Sequence, residues 1–114
     1  LSTVETSDYN WAAVQKGMYL VANDRAGSAY ETFGDYGVKV AAKTGTAQLG
    51  DNQVNNAIFI CYAPYDNPKV AVAVVVEHGS AGASIASIAR GFLDAYFTVK
   101  TVDTAPESEL SLLR

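Results

Sequence analysis

Trp11, Val14, Met18 and Val21 recur at spacings of three and four. That period lays an apolar stripe along one face of a helix. Ser7 or Asp8 suits its N-cap, and Asn23 to Ser28, with Asn, Asp, Gly and Ser, ends it. Tyr30 and Phe33 fall in a stretch punctuated by Gly34 and Gly37 and are expected in irregular chain. Three strand-like segments follow: Val38 to Thr44, Ala57 to Ala63, and Lys69 to Glu77. The turn chemistry of Pro64 to Pro68 makes the last two an antiparallel hairpin. Lys69 to Glu77 is almost all Val and Ala without polar alternation, so both of its faces are expected to be covered. Ile85, Ile88, Ala89, Phe92, Leu93 and Tyr96 then repeat with helical period, behind a cap at Ser80 or Ser84.

The pattern predicts an α+β fold: an antiparallel three-stranded sheet flanked by an N-terminal and a C-terminal helix. Residues 1–100 form the structured portion and 101–114 a polar C-terminal tail containing Pro106. An apolar, central-looking strand in a sheet of only three strands leaves an edge that invites a partner.

Composition narrows the function. The 114 residues are 49% hydrophobic and 18% charged, enough to bury a core. Eight Lys and Arg against 12 Asp and Glu give a net charge of -4, with no basic run, which argues against nucleic acid as a partner. The apolar run Val70 to Val76 is too short to span a bilayer, and Leu1 leads into polar residues rather than a secretory signal. Cys61 is the one cysteine, so neither an internal disulfide nor a cysteine-rich metal site is available. No metal or organic cofactor is called for. Cys61 reads as a buried inert thiol, His78 as a loop residue, and Glu77 and Asp94 as unrelated carboxylates on separate elements.

The chemistry concentrates in Lys43-Thr44-Gly45-Thr46-Ala47-Gln48, placed at the end of the first strand. Taken alone, Lys43 is an ordinary solvated lysine. Taken together, the residues suit an anion. The lysine supplies positive charge, the Thr44 and Thr46 hydroxyls can donate to a carboxylate, and Gly45 lets another backbone approach. A free strand edge can take up an extended peptide as an added strand.

Lys43-Thr44-Gly45-Thr46 resembles the Lys-Thr-Gly box of the penicillin-recognising serine acyltransferases, which include penicillin-binding proteins and serine β-lactamases. Thr46-Ala47-Gln48 is typical of class B penicillin-binding proteins. Trp11 to Met18 resembles their Trp/Val-x-x-Gly-Met helix. Asn56 to Pro64 resembles their Asn-Ala-x-Phe-x-Gly-Phe-Ala-Pro strand, and Val72 to Glu77 their Val-Val-Val-Glu strand. The likeness covers roughly residues 8–97. Ala42 stands where the family usually has glycine, and the final helix has Ile85-Ala86-Ser87-Ile88 where the family has Ala-Ala-Pro-Ile. Neither the Ser-x-x-Lys nucleophile nor the Ser-x-Asn box occurs; Ser87-Ile88-Ala89-Arg90 is the nearest approach.

The resemblance implies the C-terminal part of a D,D-transpeptidase domain. Such an enzyme cross-links D-Ala-D-Ala stem peptides of peptidoglycan through a serine acyl-enzyme, and penicillins acylate the same serine. Lys43 and Thr46 would belong to the catalytic machinery, the Thr46 N–H as an oxyanion donor. Thr44, Gly45, Thr46, Ala47 and Gln48 would line the substrate strand. Without the serine the chain is expected to be inactive alone. Its partners would be stem peptide and β-lactams, the upstream part of the same domain, and a second copy through Val70 to Glu77. The parent would sit on the extracytoplasmic face of the bacterial membrane, held by an upstream anchor. The alternatives are a serine β-lactamase or β-lactam sensor, and a non-catalytic peptide-binding or dimerising module.

Overall fold

The structure is a computed structural model that describes residues 2–103. Helix α1 spans Asp8–Asn23. Ser7 is its N-cap: its Oγ accepts from Asn10 N at 3.2 Å, and its carbonyl takes Trp11 N at 3.0 Å. Asp24 stops the helix by drawing Ala26 N onto its carboxylate at 2.8 Å. The chain then folds back tightly at Gly27, where a Cβ would run into the Leu20 and Val21 carbonyl oxygens.

Tyr30–Phe33 forms a short helix, α2, where irregular chain was expected. Its cause is a buried anchor. Phe33 stacks on Phe59 with ring centroids 5.9 Å apart, so the segment is held by the sheet and not by local propensity.

Strands β1 (Ala41–Ala47), β2 (Asn56–Ala63) and β3 (Val70–Val76) make one antiparallel sheet in the order β1-β2-β3. The hairpin and the α+β class are as the pattern predicted. β1 starts and ends three residues later than expected, because it pairs with β2 along its whole length, from Ala41↔Tyr62 to Ala47↔Asn56. Lys43 to Thr46 therefore lie inside the strand, where its end was expected.

A 3₁₀ turn over Gly82–Ile85 leads into helix α3 (Ala86–Asp103). Neither Ser80 nor Ser84 caps α3. Ser84 Oγ is spent on the turn itself, donating toward Ala81 O at 2.5 Å and Gly79 O at 3.2 Å. α3 continues to Asp103, three residues into the expected tail. The remainder of that tail lies outside the described residues.

One face of the sheet holds the core. Ala57, Phe59, Cys61 and Ala63 of β2 are buried there, with Ile85, Ala89 and Leu93 of the C-terminal segment and Val70, Val72, Val74 and Val76 packed against the cluster. The other face is largely open. Ile60 is 42% and Val75 65% exposed, and Ala71 and Ala73 are exposed. This overturns the expectation that β3 is covered on both faces. Within the described residues it is an edge strand, and its Val-Ala run alternates inward and outward like any half-buried strand. The stripe on α1 is similarly bare at Trp11 and Val14, and Ile88 and Phe92 of α3 are exposed.

Arg90, in the Ser87 to Arg90 sequence that approaches the nucleophile box, has a packing task. It donates to Thr32 O at 2.5 Å, pairs with Asp35 at 3.3 Å and covers the Tyr36 ring at 5.1 Å, fastening α3 to α2. Beside it, burial and a hydrogen bond to Asp94 push the Tyr36 phenol up to about 12.

Candidate functional site

β1 presents Lys43, Thr44, Gly45, Thr46 and Ala47, and Gln48 follows directly. β1 is an outer strand, so among the described residues one row of its backbone groups has no strand partner. The contacts of Gly82 identify that row. A Cβ built on Gly82 would lie 2.7 Å from Gly45 N and 2.6 Å from Gly45 O, and closer still to Ile58 O. The three atoms therefore surround one point. Gly45 and Ile58 are register partners, and antiparallel geometry gathers their polar atoms in this way where the two residues exchange hydrogen bonds. The alternation of the ladder then turns the N–H and C=O of Thr44 and Thr46 toward the open edge.

Side chains follow the strand's period of two. Lys43 and Gly45 share the open face with their partners Ile60 and Ile58, and Lys43 is exposed. Its Nζ donates to Thr44 O at 2.6 Å, placing the ammonium at the edge. Gly45 leaves room above Ile58: an added Cβ would come to 3.3 Å from Ile58 Cβ. Thr44 and Thr46 share the opposite parity. Thr46 is exposed, and Thr44 Oγ1 lies 3.0 Å from Ser28 Oγ, where either hydroxyl can donate. Lysine and threonine side chains thus approach the edge from two faces. Gln48 borders a polar cleft of about 570 Å³ lined by Gly50, Asp51, Gln53 and Asn55, and the Asp51 to Gln53 loop is exposed.

Two neighbours escaped the sequence reading. Ser28 counted only as a helix breaker, and Gly82 was part of an unremarked loop. Sixteen residues separate Ser28 from Thr44, and no local pattern joins them. The fold-back at Gly27 does.

The chain matches the family described as penicillin binding protein transpeptidase domain over residues 2–94. It belongs to that family. The peptidoglycan D,D-transpeptidase MrdA of Escherichia coli is 39% identical over 98 residues, which is 74% of this chain and 16% of that protein. Penicillin-binding protein 2B of Streptococcus pneumoniae is 33% identical over 103 residues, 84% of this chain and 15% of that protein. Among solved structures, Pseudomonas aeruginosa PBP2 in complex with WCK 5153 superposes with a TM-score of 0.74 at 33% identity, covering 84% of this chain and 21% of that one. The imipenem acyl-enzyme of Mycobacterium tuberculosis penicillin-binding protein A gives 0.63 at 35% identity, over 81% and 20%. The chain thus spans about a sixth to a fifth of the length of these relatives.

Other polar residues of this transpeptidase-family chain are engaged structurally. His78 adopts φ 55°, with its N–H on Asn56 Oδ1 at 3.0 Å and its Nδ1 3.1 Å from Val54 O, bracing the loop after β1. Cys61 is buried, and burial pushes its thiol up to about 11 against the opposing effect of a backbone hydrogen bond at Val72. Such a thiol is a poor nucleophile at neutral pH. Among the described residues no cluster of His, Cys, Asp and Glu could hold a metal ion, and no helix is long and apolar enough to cross a membrane.

Proposed function

We propose that this chain supplies the substrate-binding strand of a serine-type peptidoglycan D,D-transpeptidase. The observation that carries the reading is the open edge of β1, where the outward backbone of Thr44 and Thr46 meets the Lys43 ammonium and the Thr44 and Thr46 side chains. A stem peptide ending in D-Ala-D-Ala lies along this edge as an added strand, and a β-lactam occupies the same place. Lys43 supplies positive potential to the terminal carboxylate, and the Thr44 and Thr46 hydroxyls donate to it. Thr46 N–H is one oxyanion donor for the acyl carbonyl, and the second belongs to the serine that attacks it. Gly45 lets the peptide lie flat, while Ala47 and Gln48 border its far end.

Ser-x-x-Lys and Ser-x-Asn are absent from the sequence, so the chain is a wall of the site without its nucleophile. The upstream part of the domain is its first partner and would extend the sheet at β3. The parent acts on the extracytoplasmic side of the bacterial membrane and is anchored from upstream.

Intact mass after incubation with penicillin tests this, on the chain and on the complete transpeptidase domain that contains it. The expected result is a penicilloyl adduct on the complete domain and none on the chain. An adduct on the chain overturns the missing-nucleophile reading. Labelling of neither overturns the transpeptidase and favours a non-catalytic binding module.

A further inference from the structure

The ladder at Gly45 is pressed from behind by the 3₁₀ turn. Gly82 is buried, and any side chain there would meet the backbone of both strands at once, at Gly45 N, Gly45 O and Ile58 O. These atoms belong to the hydrogen-bonded pair immediately before Thr46. Backbone in a ladder cannot swing aside as a flexible side chain does. A Cβ at position 82 must therefore push the turn off the sheet or push β1 outward.

The neighbouring glycine behaves differently. The atoms nearest a Cβ on Gly79 are side-chain atoms of Ala57 and Val76, at 2.9 Å, and not ladder backbone. The turn is itself fastened: Ser84 N donates to Ala81 O at 3.0 Å, and Ser84 Oγ adds its bonds to Ala81 O and Gly79 O. Ser80 N donates to Asn55 O at 3.1 Å, so the same loop is tied to the start of β2.

We infer that Gly82 is a positioning residue for acyl transfer. Its missing side chain sets how closely the 3₁₀ turn seats on β1, and so where the Thr46 N–H points. This rests on the transpeptidase reading. An oxyanion donor acts through a narrow range of distance and angle, and complete loss of one costs about 10²- to 10³-fold in rate. A donor displaced with its strand loses part of that.

The test is the kinetics of penicillin acylation in the complete domain, with the reactive fraction measured by titration. Gly82→Ala is expected to keep a full stoichiometric titre while its first-order acylation constant falls about tenfold or more. Gly79→Ala is expected to lower the melting temperature while acylating at the unsubstituted rate. Ser84→Ala should loosen the turn and slow acylation severalfold, and Ser84→Thr should restore it. If Gly82→Ala does not fold, the Ser84 pair decides. An unchanged acylation constant in Gly82→Ala, equal slowing in Gly79→Ala, or no effect of Ser84→Ala overturns the inference. Absence of labelling in the unsubstituted domain overturns the function beneath it instead.

Discussion

The Nζ of Lys43 donates to the carbonyl of Thr44, the next residue, at 2.6 Å. That carbonyl faces the open edge of the sheet, so the ammonium rests where an incoming strand would pair. A carboxylate arriving there competes with a neutral carbonyl for the ammonium, and the charged acceptor wins.

Replacing Lys43 by Ala in the complete domain removes a charge-assisted contact worth about 1.5–3 kcal/mol. Penicillin acylation should slow about tenfold to a hundredfold, read from a mass time course. Lys43 is exposed and outside the core, so the melting temperature should hold within a degree or two. A large fall in melting temperature with unchanged acylation would make Lys43 a structural residue.

Phe59 is fully buried and stacks on Phe33, and it pairs across the sheet with Thr44 and Val74. Phe59→Ala empties the centre of the core and should cost about 3–5 kcal/mol by denaturant titration. Loss of under about 1 kcal/mol would mean that the core closes over the gap.

The legible part of the fold was the part that repeats. The apolar run Ala57 to Ala63 and the helical period that starts at Ile85 both supply core residues. Ala57, Phe59, Cys61 and Ala63 come from the first and Ile85, Ala89 and Leu93 from the second, while Ile88 and Phe92 of the same period stay exposed. The proposed site at Lys43 to Thr46 rests in the sequence on its likeness to a known box, since local physics alone leaves those residues ambiguous. What escaped depends on distant contacts. The α2 turn exists because Phe33 finds Phe59, and Ser28 meets Thr44 because Gly27 reverses the chain. The bare faces of α1 and β3 misled the reading in the other direction. Trp11, Val14 and Val75 are as apolar as core residues, yet the described chain leaves each of them exposed. A hydrophobic pattern reports that a face should be buried and is silent on which segment buries it.

Alkaline pH should unfold the protein in a characteristic window. The Cys61 thiol rises from 9.0 to about 11 in the folded state and the Tyr36 phenol from 10.0 to about 12, both chiefly through burial. The unfolded chain then loses these protons first, so stability is intact below pH 9 and declines as pH climbs through 11 to 12. Cys61→Ala should flatten the early part of that decline in melting curves taken between pH 8 and 11. An identical slope in both proteins would assign the alkaline loss elsewhere.

The Tyr62 hydroxyl is buried with no hydrogen-bond partner among the described residues, and burial pushes its pKa upward. An unsatisfied buried hydroxyl costs about 1–3 kcal/mol relative to a satisfied one. Tyr62→Phe removes the hydroxyl and keeps the ring, so this chain should be as stable or more stable by denaturant titration. Destabilisation by more than about 1 kcal/mol would show that the hydroxyl has a partner in solution.

The outer edge of β3 should drive association of the isolated chain. Val75 is 65% exposed and lies on the same open face as Ala71 and Ala73, and no strand pairs beyond it among the described residues. An apolar edge with free backbone groups is a template for another strand, and β3 offers seven consecutive Val and Ala residues without a charge. Sedimentation at rising concentration should show species above the 12.1 kDa monomer. Val75→Lys places a charge on the exposed face and should shift the population to monomer, since a lysine must be desolvated to enter a sheet interface. In the complete domain the same edge is proposed to be paired with upstream strands, so association should vanish there without any substitution. A chain that stays monomeric at millimolar concentration would mean that the β3 edge is protected by its own twist or by the loops at its ends.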